Sequence, residues 1–352
     1  MKAVVKKDGM VGVEVVDVPY PKLRPGWVIM KVKAAGICGS DLHSYQRTTV
    51  PRAGPMGHEC AGEVVEVGEG VQNVKTGDHV TYNPFALRTN QSCGECYFCL
   101  TGQPLGCAKR PPTTSDGGCM AEYMAVDSRS LFKLPENVPY EIGALIEPFG
   151  VSYHGVLESS SLKPSQTLVI LGPGTIGIAA LIAAKLVTPE QIIMTGTNAD
   201  EAVRFKLAKT LGATELINVQ KEDPVKKVRE LTDDVGADVV LEAVGGHHPQ
   251  LITALKMLAY GAECIVIGHP ERVEEPVASI DGVTYNHVIT RRQKIIGSWI
   301  YDTLTYMRII KLLQRKLVDL KPLLTHELPL SEAEKGFELG FKQECIKVML
   351  KP

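Results

Sequence analysis

Leu168-Val169-Ile170-Leu171-Gly172-Pro173-Gly174-Thr175-Ile176-Gly177 decides how this chain folds. Four apolar residues read as a buried strand, the glycines as a tight turn, and the alanine-rich run Ile176–Leu186 as a helix. In that order each glycine has a task. Gly172 permits the turn, Gly174 lets backbone approach a pyrophosphate, and Gly177 allows helix and strand to pack closely. Free N–H groups and the helix dipole at the helix N-terminus would hold the anion. Glycines alone often only make turns, so the surrounding pattern has to carry the reading.

That pattern is repeated. Buried runs at Leu168–Leu171, Ile192–Thr195, Val239–Glu242 and Ile265–Gly268 read as strands, with helical periodicity near Ile176–Leu186, Asp200–Leu211 and Pro224–Thr232 between the earlier ones. Strand–helix–strand alternation predicts a parallel, doubly wound Rossmann sheet. Upstream the texture differs. Short alternating runs, Val11–Val18, Trp27–Ala34, Ala61–Val67 and His79–Tyr82, are punctuated by Gly and Pro and predict a β-rich domain with long loops. Past Gly297 come a helical stretch and a mixed tail, Leu323–Val348, too short for a domain and expected to fold back onto the first. The fold class is therefore α/β, with residues 1–150 and 298–352 forming the β-rich domain and 151–297 the dinucleotide-binding domain. A chain of 352 residues suits two domains.

Composition narrows the function. With 38 basic and 40 acidic residues spread without long runs, the chain lacks the basic footprint of a nucleic-acid partner. Its longest apolar stretches, such as Ile176–Val187, carry Lys185 and fall short of the ~20 residues that cross a bilayer. Met1–Lys7 alternates like a strand and has no signal-peptide core. Nine cysteines in such a chain argue for reduced thiols in the cytoplasm. Cys60, Cys119, Cys264 and Cys345 have no ligand-like spacing and read as small buried apolar residues.

The other cysteines are clustered. Cys93, Cys96, Cys99 and Cys107 fall within fifteen positions, with two-residue spacers that let successive thiolates turn toward one Zn²⁺. Four protein ligands leave no open position, so this zinc is structural. A disulfide set or chance clustering is the alternative.

Gly36-Ile37-Cys38-Gly39-Ser40-Asp41-Leu42-His43, then Gly57-His58-Glu59, then Ile146-Glu147-Pro148, taken with the cysteine loop and the glycine fingerprint in that order, resemble the zinc-dependent medium-chain alcohol dehydrogenase family in its polyol and threonine dehydrogenase branch. The resemblance spans the whole chain. It implies a GroES-like catalytic domain beside the Rossmann domain, assembly as a homodimer or homotetramer, and hydride transfer between a secondary alcohol (a polyol, sugar derivative or hydroxy amino acid, with an L-threonine 3-dehydrogenase-like or anionic-substrate enzyme as the alternative) or its ketone and NAD, with NADP possible. By position, Cys38, His58 and Glu147 would hold a catalytic zinc, with Glu59 a fourth ligand or a carboxylate that swings in. Simple alcohol dehydrogenases carry a second Cys where Glu147 stands. Ser40 would accept the substrate proton and pass it toward His43, and Asp41 would orient His58. Cofactor contacts fall on Gly172, Gly174, Thr175, Ile176, Gly177, Thr197, Arg204, Val244 and Ile267.

The resemblance has limits. The second Rossmann strand normally ends in an acidic residue that takes the adenosine ribose hydroxyls, but here it ends Thr195-Gly196-Thr197-Asn198-Ala199-Asp200. Asp200 or Glu201 would have to serve, and Arg204 is the nearest cation, so NAD is favoured only modestly. Ile300 stands where the polyol branch often has an arginine, which counts against a sorbitol-like substrate. Arg47 and Arg52 border the cleft expected from the resemblance, Arg88 precedes the cysteine loop, and all three are candidates for an anionic substrate group. The competing reading is a metal-stabilised nucleotide-binding protein without turnover. Intact Cys38, His58 and Ser40 argue for the enzyme.

Overall fold

The computed structural model describes residues 1–48, 54–86, 92–109, 115–245, 248–268 and 286–352. Its contacts divide the chain into two compact units, Met1–Gly150 with Tyr301–Pro352, and Val151–Ile300.

In the first unit, β1 (Lys2–Lys6) and β2 (Val13–Asp17) form an antiparallel ribbon. β3 (Trp27–Gly36) is the long central strand of a second sheet, pairing antiparallel with β4 (Glu59–Val67), which continues to β5 (His79–Tyr82). β6 (Tyr123–Asp127) pairs with the first half of β3, and β7 (Leu131–Lys133) with β5. Alternation along β3 places Val28, Met30 and Val32 in one apolar core with Val64, Val80 and Met124. Three helices interrupt this β-rich region: α1 (Gly39–Gln46), α2 (Tyr97–Leu100) and α3 (Tyr140–Ala144), with α4 (Ile146–Tyr153) leading out of the unit. Each is short and lacks a long apolar periodicity, so sequence pattern alone does not announce it.

The second unit contains six parallel strands: β8 (Thr167–Leu171), β9 (Gln191–Gly196), β10 (Glu215–Asn218), β11 (Ala237–Glu242), β12 (Leu258–Val266) and β13 (Lys294–Gly297). Their spatial order is β10-β9-β8-β11-β12-β13, so the direction of winding reverses between β8 and β11. All five residues of β8 are buried, as a central parallel strand covered on both faces requires. Strands β10 and β13 are four-residue edge strands too short to announce themselves by pattern. The expected helix from Asp200 begins later, as α6 (Arg204–Thr210) after α5 (Thr175–Ala184), because Asn198–Asp200 close a separate 3₁₀ turn. α7 (Pro224–Leu231) is capped by Asp223, whose carboxylate accepts the Val225 and Lys226 amides, and α8 (His248–Met257) precedes β12.

The chain then returns to the first unit through α9 (Thr303–Gln314), β14 (Leu324–Pro329), α10 (Ala333–Phe341) and β15 (Lys347–Lys351). β15 pairs with the end of β3. Phe337 of α10 closes the apolar core. Among the described residues no helix is long and apolar enough to cross a membrane.

Candidate active site

Sheet register assembles the first cluster. Gly36, the last residue of β3, sits opposite Glu59, the first of β4, so Cys38 just beyond one strand faces His58-Glu59 at the start of the other. Both turns need glycine. A Cβ on Gly36 would lie 2.2 Å from Glu59 Oε2, and Gly57 has φ of 88° with Met120 Cγ only 2.7 Å from where its Cβ would be. The Sγ of Cys38, a ring nitrogen of His58 and a carboxylate oxygen of Glu59 all lie within 4.8 Å of one another. Glu147, on the first turn of α4, is buried nearby but stands outside that tight group, and Tyr301 Oη donates to its Oε1 at 3.4 Å.

Glu59 has a second partner. Lys347 Nζ, at the start of β15, donates to Glu59 Oε1 at 2.8 Å, to Oε2 at 2.6 Å and to the Ile37 carbonyl at 2.9 Å. Both side chains are buried. Neither Lys347 nor Tyr301 was singled out from the sequence. The signal for Lys347 was a lone lysine inside the apolar run Cys345–Leu350, which is how a buried, paired cation looks.

Negative charge is concentrated here. Burial raises the Glu147 carboxyl to about 7, and Glu59 pushes it the same way. Burial also raises Asp41. Burial alone would lower His58, but the charges of Cys38, Asp41 and Glu147 outweigh it and hold the imidazole well above its usual value. A thiol, an imidazole and a carboxylate within 4.8 Å of one another, with the buried Glu147 carboxyl close by, fit the mixed donor set of a zinc site. The expected orienting role of Asp41 needs correction. Its Oδ2 accepts the Cys38 N–H at 2.9 Å, and among the described residues no hydrogen bond joins it to His58. Asp41 fixes Cys38 at the start of α1 and reaches His58 only through charge.

Ser40 and His43 lie one turn apart on α1, both exposed. Residues three apart on a helix share a face. Arg47 ends the same helix, exposed, while Arg52 and Arg88 lie outside the described residues.

The second cluster is the cysteine loop. The sulfurs of Cys93, Cys96, Cys99 and Cys107 fall within 4.8 Å of one another, with Cys96 and Cys99 at 3.3 Å and Cys93 and Cys99 at 3.9 Å. Tetrahedral Zn–S bonds of about 2.3 Å put sulfurs roughly 3.8 Å apart, so the loop fits the ion. A hydrogen bond from Ser92 lowers the Cys99 thiol to about 6 and the Glu95 amide lowers Cys93, while at Cys96 the Cys99 amide is outweighed by hydrogen bonds to the neighbouring sulfurs, which push the thiol up to about 11. None of the nine cysteines forms a disulfide. Cys60, Cys119, Cys264 and Cys345 are buried.

The glycine turn lies in the second unit. Gly172 has φ of 93°, and a Cβ on Gly177 would be 1.9 Å from the Gly172 carbonyl, so neither position accepts a side chain. Gly174 caps α5 and faces open space, leaving backbone approachable where a pyrophosphate would rest; Thr175 and Ile176 form the first turn of the helix. Val244 packs against Gly172. Ile267 turns its side chain toward Gly155 in the π-helical turn His154–Ser159.

At the tip of β9 the missing carboxylate has a steric cause. A Cβ on Gly196 would lie 2.6 Å from Phe205 and 3.0 Å from Asp200 Oδ2. Asp200 itself is buried and committed: Oδ2 accepts the Thr197 N–H at 2.8 Å and hydroxyl at 3.0 Å, and Oδ1 accepts from Arg204 Nη1 at 3.0 Å. Glu201 is held by Asn218 at 2.6 Å and Lys221 at 2.5 Å. Neither acid stands ready for ribose hydroxyls, and Arg204 is cancelled by Asp200.

Comparison with known proteins adds independent findings. The family described as "Alcohol dehydrogenase GroES-like domain" matches residues 24–136, and "Zinc-binding dehydrogenase" matches residues 175–315. An L-threonine 3-dehydrogenase of Bacillus licheniformis is 37% identical over 100% of this chain and 99% of its own length. A sorbitol dehydrogenase of Bacillus subtilis is 33% identical, covering 97% and 94%. Among solved structures, galactitol-1-phosphate dehydrogenase from Escherichia coli superimposes with a TM-score of 0.84 at 27% identity over 100% of both chains.

Proposed function

This chain belongs to the zinc-dependent medium-chain alcohol dehydrogenase family, and from that premise we propose that it moves a hydride between a secondary alcohol with polar neighbours and a nicotinamide dinucleotide. The substrate is a polyol, a sugar derivative or a hydroxy amino acid. One observation carries the reading: Cys38, His58 and Glu59 bring three different donor atoms within 4.8 Å in a partly buried corner of the first unit. A protein that only bound nucleotide would have no use for such a set.

When bound there, zinc supplies Lewis acidity toward the substrate hydroxyl, easing its deprotonation near neutral pH. Cys38, His58 and Glu147 would hold the ion, with Glu59, already engaged by Lys347, as a fourth ligand or a carboxylate that swings in. Ser40 accepts the substrate proton and hands it to His43 one turn along α1, from which it reaches solvent. Cys93, Cys96, Cys99 and Cys107 hold the structural zinc. Gly172, Gly174 and Gly177 shape the turn on which the pyrophosphate lies, with Thr175 and Ile176 at the start of α5.

Thr197 and Arg204 border the adenosine ribose, and the neutral tip at Gly196 leaves NAD modestly preferred over NADP. Val244 and Ile267 line the nicotinamide side. The assembly is a homodimer or homotetramer, supported by β13, which ends the sheet among the described residues, and by Ile295 and Trp299, which are exposed beside it. Nine cysteines, none of them in a disulfide, support a reducing, cytoplasmic setting.

A hydroxy amino acid is the favoured class within this range. The 37% identical relative is an L-threonine 3-dehydrogenase, and Ile300 offers a buried apolar side chain where the polyol branch has an arginine. The deciding experiment is a panel of L-threonine, sorbitol and phosphorylated polyols with NAD⁺ and NADP⁺, followed by absorbance of the reduced cofactor. Turnover of a secondary alcohol supports the reading. No turnover of any alcohol by zinc-replete protein would sink it.

A further inference from the structure

Glu242 is the last residue of β11 and is 5% exposed. Its Oε1 accepts the Val244 N–H at 2.9 Å and the Gly245 N–H at 3.1 Å. Its backbone carbonyl accepts the Ile267 N–H at 3.0 Å and the Gly268 N–H at 3.1 Å. One residue therefore fastens the two turns that leave the carboxyl ends of β11 and β12. The fit is close, since a Cβ on Gly268 would lie 2.3 Å from Glu242 Oε2. Among the described residues no Lys, Arg or His forms an ion pair with this carboxylate.

Its place in the sheet gives the clamp a purpose. Winding reverses between β8 and β11, and in open α/β sheets the ligand lies outside the carboxyl ends of the strands at that point. Strands β8 to β10 make the half beginning with the glycine turn, so the turns after β11 and β12 belong to the other mononucleotide half. The two halves also touch, because Val244 packs against Gly172. Backbone in such turns holds its shape only if its amides have partners, and two amides aimed at a single buried oxygen leave little freedom.

We propose that Glu242 is a positioning residue that sets the receiving surface for the nicotinamide half of the dinucleotide, through the Val244–Gly245 and Ile267–Gly268 turns. It acts through backbone and need not touch the cofactor. The proposal rests on the dinucleotide-binding reading above.

The test is equilibrium binding of NAD⁺ and of ADP, which carries only the adenosine half, measured by calorimetry on zinc-replete full-length protein. Glu242→Ala should weaken NAD⁺ about tenfold and leave ADP within about twofold, whereas Glu242→Gln, whose amide oxygen can accept both N–H groups, should bind NAD⁺ nearly as the parent does. Should Glu242→Ala fail to fold, Glu242→Asp, whose shorter side chain draws the carboxylate back from the two N–H groups, should give the same split. Equal loss of NAD⁺ and ADP, unchanged NAD⁺ binding in Glu242→Ala, or a Glu242→Gln protein as impaired as the alanine variant would each overturn the clamp. A parent protein that binds neither ligand would instead overturn the dinucleotide reading itself.

Discussion

Lys347 Nζ reaches both carboxylate oxygens of Glu59, at 2.6 and 2.8 Å, with both side chains buried. A candidate ligand of the catalytic zinc thus shares its charge with a lysine from the other end of the chain. Removing one member of a buried pair leaves the other uncompensated, typically at a cost of about 3–5 kcal/mol. Zinc can take over part of that compensation. Lys347→Met should therefore destabilise the metal-free protein by about 3 kcal/mol and the zinc-loaded protein by clearly less. Urea unfolding with and without zinc checks this, and equal losses in the two forms would count against Glu59 facing the metal.

Stability of the metal-free protein should fall with rising pH. Burial raises Glu147 to about 7, above the ordinary carboxylate value, and the anionic neighbours raise His58 despite its burial. For both groups the folded state holds a proton that the unfolded state has already released, Glu147 from about pH 4.5 and His58 from about pH 6.5. Stability present at pH 5 is thus lost toward pH 8, by up to about 3 kcal/mol from Glu147. Zinc displaces those protons, so the stabilisation it gives should grow over the same interval. Melting temperatures from pH 5 to 8, with and without zinc, read both trends.

Two residues of the first cluster should fail in different ways. Glu147→Ala should lower zinc occupancy. Ser40→Ala should keep zinc but interrupt proton transfer, slowing turnover by ~10²–10⁴-fold. Metal analysis beside steady-state kinetics separates them, and full activity in zinc-loaded Ser40→Ala protein would remove Ser40 from the relay.

How far the sequence could be read varied with the kind of interaction. The parallel sheet and glycine turn were legible because they rest on local patterns: β8 is a continuous apolar run, and Gly177 leaves no space for a Cβ. The cysteine loop was legible for the same reason, its four sulfurs being close in sequence and in space. Lys347 and Tyr301 were not. Each reaches the site from the C-terminal return, through contacts that no local spacing encodes. At the tip of β9 Asp200 was visible as a nearby acid, but its commitment to Thr197 and Arg204 depends on how the 3₁₀ turn folds.

That commitment makes cofactor choice adjustable. Asp200→Asn keeps an oxygen to cap the Thr197 amide but removes the charge facing Arg204, which then bears on a 2′-phosphate without that opposition. The ratio of kcat/KM for NADP⁺ over NAD⁺ should rise about tenfold, equivalent to about 1.4 kcal/mol in transition-state binding. A parent enzyme that already prefers NADP⁺ by more than tenfold would show that Arg204 is not held in check.

A closed thiolate site and an open mixed-donor site in one chain should release their metal in separate steps, which metal content followed through mild chelation reads out. The expected result is two zinc ions per chain, one leaving early together with activity while the far-ultraviolet circular dichroism stays native, the other leaving only as the fold is lost. A single zinc per chain, or activity and fold lost in one step, would contradict it.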